Sequence, residues 1–180
     1  SISTINYSVT GVAIPNNLQG KTNLNNFTST YNRNSAGQLV SGSGTYLFSG
    51  CLSLGTLNFF ATNLGSVNFP TTFSNPVLSY LDLRYTNIKG GKPNTADGSQ
   101  EYVIYAETFK EAVNLSRLYI DSSNLGSGFS SGKNRIHPDA FLFNPQLYYI
   151  WYRSHGRTTG NITQLFSSNP NLQYVWMQSN

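Results

Sequence analysis

Between Leu78 and Ile88 the chain places apolar residues at Leu78, Leu81, Leu83 and Ile88, with a small polar residue at Thr86. Leu81 and Leu83 alternate with polar or amphipathic neighbours. That period of two predicts a short strand with the leucines on one side and Tyr80, Asp82 and Arg84 on the other. The same frame returns at Leu54, Leu57, Phe59, Thr62 and Leu64, and again at Leu115, Leu118, Ile120, Ser123 and Leu125. Weaker copies extend it in both directions. Ile2, Ile5, Tyr7, Thr10 and Val12 fit fully, whereas Leu24, Phe27, Ser29 and Asn32 carry a polar Ser in an apolar slot. Leu147, Ile150 and Tyr152 are followed by His155 in the small polar slot, and Leu172, Val175 and Met177 begin a last copy. Seven lines result, with start-to-start spacings of 22, 30, 24, 37, 32 and 25 residues. A fixed frame at such periods predicts stacked repeats that bury a core only jointly, with the longer spacings absorbing insertions.

A second pattern precedes the strand lines. Phe48, Phe109, Phe141 and Phe166 each lie six residues before the first apolar residue of the next line, and Phe73 lies five before. Asn75, Asn144 and Asn169 follow these phenylalanines, and each is followed by proline. The unit therefore runs as strand, turn, return segment with a core-plugging Phe, and turn. Spacing predicts short helices over Ala106 to Val113, after Pro138 and over Ile162 to Phe166. Proline ends the last two because it lacks a donor and restricts the residue before it. One strand per repeat predicts a parallel sheet with apolar ladders inside. The series Thr10, Asn32, Thr62, Thr86, Ser123 and His155 is expected as a buried polar ladder that satisfies turn backbone groups. Gly, Pro and Ser mark insertions at 35–45, 89–102 and 126–135. Cys51, the single cysteine, reads as a small buried residue.

The segment from Asp139 to Ile150 (Asp-Ala-Phe-Leu-Phe-Asn-Pro-Gln-Leu-Tyr-Tyr-Ile) and the run Phe48-Ser49-Gly50-Cys51-Leu52-Ser53-Leu54 carry the pattern A-F-x-x-C-x-x-L-x-x-I, with Asn144 in the Cys place of the first. In this the chain resembles leucine-rich repeat proteins of the bacterial-surface class, often called BspA-like or Treponema-type. The resemblance spans essentially the whole chain and departs from the family in the long insertions and the poor Leu24 repeat. It implies an α/β solenoid, with a parallel β-sheet on one face and short helices or turns on the other. It also implies a single domain over 1–180, which starts inside one repeat and stops inside another and is expected to be a piece of a longer protein. Comparable repeats occur in structural proteins of tailed phages. The family implies binding, usually of a protein or a cell-surface ligand.

Composition narrows the function. Charged residues make up 10% of the chain, against roughly a quarter in an average protein. Ser, Thr, Asn, Gly and Tyr take their place, a style common on exported and virion surfaces, and the expected location is extracellular, on a virion or a bacterial cell surface. The net charge of +4 comes from scattered Lys and Arg, which argues against a nucleic-acid partner. No apolar run is long enough to span a bilayer, so membrane insertion is not expected. Hydrolase, phosphate-loop and metal motifs are absent, and neither a cofactor nor a metal is expected. Asp82 and Asp121 fall close enough to imitate a carboxylate pair, but Arg84 and Arg117 beside them favour two ionised carboxylates, not the proton donor that glycoside cleavage needs. An enzyme is therefore not expected.

The outward strand positions form three columns. Thr4, Asn26, Thr56, Tyr80, Arg117, Tyr149 and Tyr174 make the first. Asn6, Thr28, Asn58, Asp82, Tyr119, Trp151 and Trp176 make the second. Ser8, Thr30, Phe60, Arg84, Asp121, Arg153 and Gln178 make the third. The face changes from small and polar to aromatic and charged, and both tryptophans stand on its second half. Tyr and Trp give large rigid contact area, and Trp, Tyr and Arg dominate interface hot spots. A site is therefore expected over Tyr80, Asp82, Arg84, Tyr85, Arg117, Tyr119, Asp121, Tyr149, Trp151, Arg153, Tyr174 and Trp176, taking a surface glycan or a protein. Two alternatives stay open. The aromatics can serve only to stack strand on strand, and Arg84, Asp121 and Arg153 can simply pair with one another. In the second alternative the domain is a structural or assembly module of a phage virion or bacterial surface protein, with another chain packed on this face.

Overall fold

The computed structural model describes residues 2–8, 11, 13–15, 17–33, 46–64, 70–88, 104–122, 136–154 and 162–179. Each of the seven lines forms a strand: β1 (Thr4–Tyr7), β2 (Asn26–Ser29), β3 (Thr56–Asn58), β4 (Tyr80–Arg84), β5 (Arg117–Ser122), β6 (Tyr149–Ser154) and β7 (Tyr174–Ser179). They make one sheet in the order β1-β2-β3-β4-β5-β6-β7, and every neighbouring pair is parallel. The register follows the sequence frame without a slip. Ile5, Phe27, Leu57, Leu81, Leu118, Ile150 and Val175 are partners in succession, as are Leu83, Ile120, Tyr152 and Met177. A slip of one residue would turn a whole apolar set outward, so the alternation fixes this register.

The other side of the repeat is built from turns. The expected helices over Ala106 to Val113 and after Pro138 are absent: both stretches form successive turns. One short helix occurs among the described residues, α1 (Ile162–Leu165), of four residues. The reason lies in the six-residue step from Phe to the first Leu. The Asn144 amide donates to Phe141 O, and the Leu147 amide donates to Asn144 O. The same two bonds recur from Ala112 to Phe109 and Leu115 to Ala112, and from Asn169 to Phe166 and Leu172 to Asn169. Each bond spans three residues, not four, and two of them use up the step. Val113, expected beside Phe109 on a buried helical stripe, is exposed, whereas Ala112 is buried.

The core is continuous. Phe73, Phe109, Phe141 and Phe166 stack ring on ring at 5.4, 5.8 and 5.6 Å between centroids, with their planes nearly parallel. Phe27, Phe48 and Phe59 pack edge-on or tilted at the β2–β3 end. Behind the sheet, Ile104 and Ile136 form an isolated parallel bridge, and both are buried. At the first strand, Ile2 is exposed in spite of its place in the frame.

Two polar ladders replace missing backbone partners. In the strand-end ladder Asn32, Thr62 and Thr86 are buried as expected. Asn32 Oδ1 accepts from the Gly11 amide, Thr62 Oγ1 donates to Ser29 O, and Thr86 Oγ1 donates to Leu83 O. Thr10, Ser123 and His155, the other members, lie outside the described residues, as do the insertions at 35–45, 89–102 and 126–135. The second ladder is the asparagine series. Nδ2 of Asn75 donates to Phe48 O and Cys51 O, that of Asn144 to Phe109 O and Ala112 O, and that of Asn169 to Phe141 O and Asn144 O. Each amide closes two carbonyls of the preceding repeat. Cys51 holds the same slot, and its Sγ donates to Leu18 O at 3.0 Å.

Candidate binding face

The parallel register sets the outward columns side by side. Tyr80, Arg117, Tyr149 and Tyr174 are successive partners, as are Asp82, Tyr119, Trp151 and Trp176, and then Arg84, Asp121, Arg153 and Gln178. Eleven of the twelve expected site residues therefore lie on one face of β4 to β7. Tyr85 lies just past β4 in the left-handed conformation (φ 55°) and turns off the strand end, exposed, with its ring edge-on to Phe60.

Aromatic contact runs unbroken across this face. Tyr80 meets Tyr119 at 5.5 Å, Tyr119 meets Tyr149 at 5.0 Å, and Tyr149 meets Tyr174 at 5.7 Å. Tyr119 belongs to the second column, and its ring leans across to fill the place Arg117 leaves in the first. Arg117 instead lies over Tyr148, 5.3 Å from the ring centre. The indoles of Trp151 and Trp176 meet edge to face on neighbouring strands. Cross-strand pairs of this kind add roughly 0.2–1 kcal/mol each to a sheet.

Two acidic residues in the columns are not surface groups. Asp82 is 1% exposed, although it points away from the core. Arg84 folds back over it: Nη2 lies 2.6 Å from Oδ2, and Nε and the Arg84 amide both donate to Oδ1 at 3.0 Å. The Tyr80 hydroxyl donates to Oδ2 at 3.1 Å. The Arg84 guanidinium is itself held against the rings of Tyr119, Phe60 and Trp151. Hydrogen bonding to Asp82 raises the Arg84 pKa. Burial, followed by the Asp82 charge, pushes the Tyr80 phenol up to about 12. Burial also raises the Tyr119 phenol, with Tyr149 adding to it. Asp121 is likewise buried, with Arg153 Nε 3.3 Å from its Oδ1. Arg153 thus pairs with Asp121, whereas Arg84 pairs within its own strand.

This sorts the expected residues by reach. Asp82, Asp121 and most of Arg84 support the surface from beneath. Tyr174, 56% exposed, and Trp176, 40% exposed, offer ring surface to solvent together with Tyr85, and Arg117 adds an exposed guanidinium. Tyr80, Tyr119, Tyr149, Trp151 and Arg153 are half-buried between them. Such a face can stack on flat apolar or sugar surfaces and donate hydrogen bonds from guanidinium groups. Sequence reasoning missed Tyr148, which packs on Tyr149 and Tyr174 at 6.3 Å from each, and Phe60, which lies under Arg84. Phe60 was visible as the one aromatic in the polar half of the third column.

Among the described residues no three His, Cys, Asp or Glu side chains are grouped to hold a metal ion, and no helix is long and apolar enough to cross a membrane. Comparison with protein-family models and with curated protein sequences gives no match.

Proposed function

We propose that the chain is a leucine-rich repeat binding module of the bacterial-surface class. It recognises a host or cell-surface ligand, glycan or protein, through the outward face of β4 to β7, and it works without catalysis. The observation that carries this reading is the exposed end of the aromatic belt. Tyr174 and Trp176 hold large ring area in solvent on the outward face of the sheet, opposite the side on which the core is packed. The Arg84 guanidinium, paired with Asp82, lies against Tyr119 and Trp151 and holds those rings of the belt. A fixed face loses little entropy when a ligand docks. The polar, weakly charged composition suits an extracellular setting on a virion or bacterial surface.

The test is a broad glycan array and a cell-binding assay with the wild-type chain beside Trp151→Ala/Trp176→Ala and Tyr174→Ala/Trp176→Ala variants of unchanged circular dichroism. Binding that both variants lose by tenfold or more supports the reading. Binding that survives both substitutions overturns it.

A second reading has its own observation. β7 is open on both faces: Val175, partner of Ile150 on the inner side, is 43% exposed. An assembly module whose β7 is covered by another chain accounts for that surface. It predicts self-association or a stable complex that Val175→Asp abolishes, read by light scattering.

A further inference from the structure

A pocket of about 430 Å³ opens at the C-terminal ends of β2 to β6. That volume falls within the range of small-molecule sites, roughly 300–1,000 Å³. Its origin is local. After β3 and β4 the chain takes a left-handed residue, Ala61 (φ 55°) and Tyr85 (φ 55°), then drops Thr62 and Thr86 into the core. Tyr31 (φ 56°) makes the same turn one repeat earlier. Ala61 therefore holds the slot that carries a tyrosine on either side, and the pocket opens over this small residue.

The wall has a defined chemistry. Arg33, Asn63, Tyr85, Asn87, Asp121 and Arg153 all line it. Among the described residues two guanidinium groups face one carboxylate, which leaves one positive charge in excess. Arg153 is engaged with Asp121 at 3.3 Å. Arg33 is exposed, and among the described residues no carboxylate lies within ion-pair distance of it. A single negative charge suits this balance, whereas a dianionic phosphate would meet the Asp121 carboxylate at close range. The amides of Asn63 and Asn87 are of the kind that pairs with hydroxyls, and Asn87 is held in the wall by its Oδ1, which accepts from the Leu64 amide at 2.7 Å. The Tyr85 ring, 53% exposed at the rim, presents a flat apolar face.

We propose that this pocket binds an acidic sugar, a monosaccharide unit with one carboxylate. Arg33 receives the carboxylate, the asparagines meet the hydroxyls and Tyr85 stacks on the ring. The pocket shares Tyr85, Asp121 and Arg153 with the outward face but includes neither Tyr174 nor Trp176, so Arg33→Ala tests the pocket and Trp176→Ala tests the aromatic surface.

The experiment is saturation-transfer NMR and calorimetry of the whole chain with N-acetylneuraminic acid and glucuronic acid, against galactose, glucose, inorganic phosphate and glycine. Binding of at least one acidic sugar, about tenfold or more tighter than the neutral sugars, is expected. Arg33→Ala should weaken it by about tenfold or more, as loss of a charge-assisted bond does. Tyr85→Ala should weaken it too, and Trp176→Ala should leave it unchanged. No binding of either acidic sugar, equal binding of neutral sugars, tighter binding of phosphate or glycine, or an Arg33→Ala variant that binds normally each overturns the proposal.

Discussion

Arg84 closes over the Asp82 carboxylate from two residues further along the same strand, with Nη2 2.6 Å from Oδ2. Residues two apart on a strand share a face, so the contact needs no partner from another repeat. It buries a carboxylate on the outside of a sheet, at 1% exposure, and roofs it with a guanidinium sandwiched among Phe60, Tyr119 and Trp151. The outward face thereby acquires a packed layer of its own above the strands.

Removing Arg84 should be costly. Arg84→Ala leaves the Asp82 charge buried with only the Tyr80 hydroxyl and one backbone amide. Breaking a buried pair in this way typically costs about 3–5 kcal/mol, and the partial exposure of Arg84 places this case at the lower end. Asp82→Asn/Arg84→Ala should recover part of the loss, because no unpaired charge remains. Urea unfolding of the single and double variants measures both. A single variant that loses under about 1 kcal/mol would class the pair as an ordinary surface contact.

The asparagine ladder makes a second stability prediction. Asn144→Ala removes the donor to Phe109 O at 2.9 Å and Ala112 O at 2.8 Å, inside the core of the turn stack. Leaving buried carbonyls without a donor should cost about 1–3 kcal/mol. Asn144→Asp should be worse, since an acceptor would replace the donor. Denaturation midpoints of the two variants give the order; equal stability of wild type and Asn144→Ala would remove the ladder from the list of stabilising devices.

The sheet was fully legible in the sequence because two signals agree. Alternation fixes which face each residue takes, and a repeated frame fixes which residues become partners, so Tyr119 beside Trp151 and Asp121 beside Arg153 follow from spacing alone. The return segments were less legible. Phe109 and Val113 have helical spacing, yet a six-residue step has room for two tight turns only. Asn-Pro was readable as a stop signal, but the carbonyls that the Asn amide closes belong to the repeat before, and spacing within one unit does not reveal them. Asp82 illustrates a third limit: its direction was readable and its burial was not, because burial there depends on how Arg84, Tyr80 and Tyr119 fold over it. The strand-end pocket escaped for a similar reason, since it depends on the small side chain of Ala61 and on Arg33, which lies outside every column.

The Tyr80 phenol supplies a pH dependence. Its folded pKa, about 12, lies above the ordinary value near 10. The folded state then holds this proton more tightly than the unfolded one. Its contribution is complete below about pH 10 and is lost as the pH rises towards 12. Stability should fall across that window, and less steeply in Tyr80→Phe, which cannot ionise. Thermal melts between those limits test it, with tyrosinate absorbance as a direct readout. Identical slopes for the two proteins would assign the loss to other tyrosines, of which Tyr46, Tyr105 and Tyr119 are also raised by burial.

Cys51 offers a probe of how the repeats come apart. It is the only cysteine in the chain, it is fully buried, and its Sγ donates to Leu18 O. Burial raises the thiol pKa, which keeps it away from the reactive thiolate form. At neutral pH a thiol reagent should therefore label Cys51 only through opening of the structure around it. Stacked repeats contact only their neighbours, so an end can open before the whole. β1 and β2 are short, and no residue of β1 is buried. Labelling should accordingly proceed through separation of the β1–β2 end from β3, with a weaker dependence on denaturant than global unfolding shows. Labelling rates across sub-denaturing urea, set beside the equilibrium unfolding slope, decide the matter. Matching slopes would mean that the seven strands open as a single cooperative unit, and fast labelling in the absence of urea would mean that the Cys51 turn is not closed in solution.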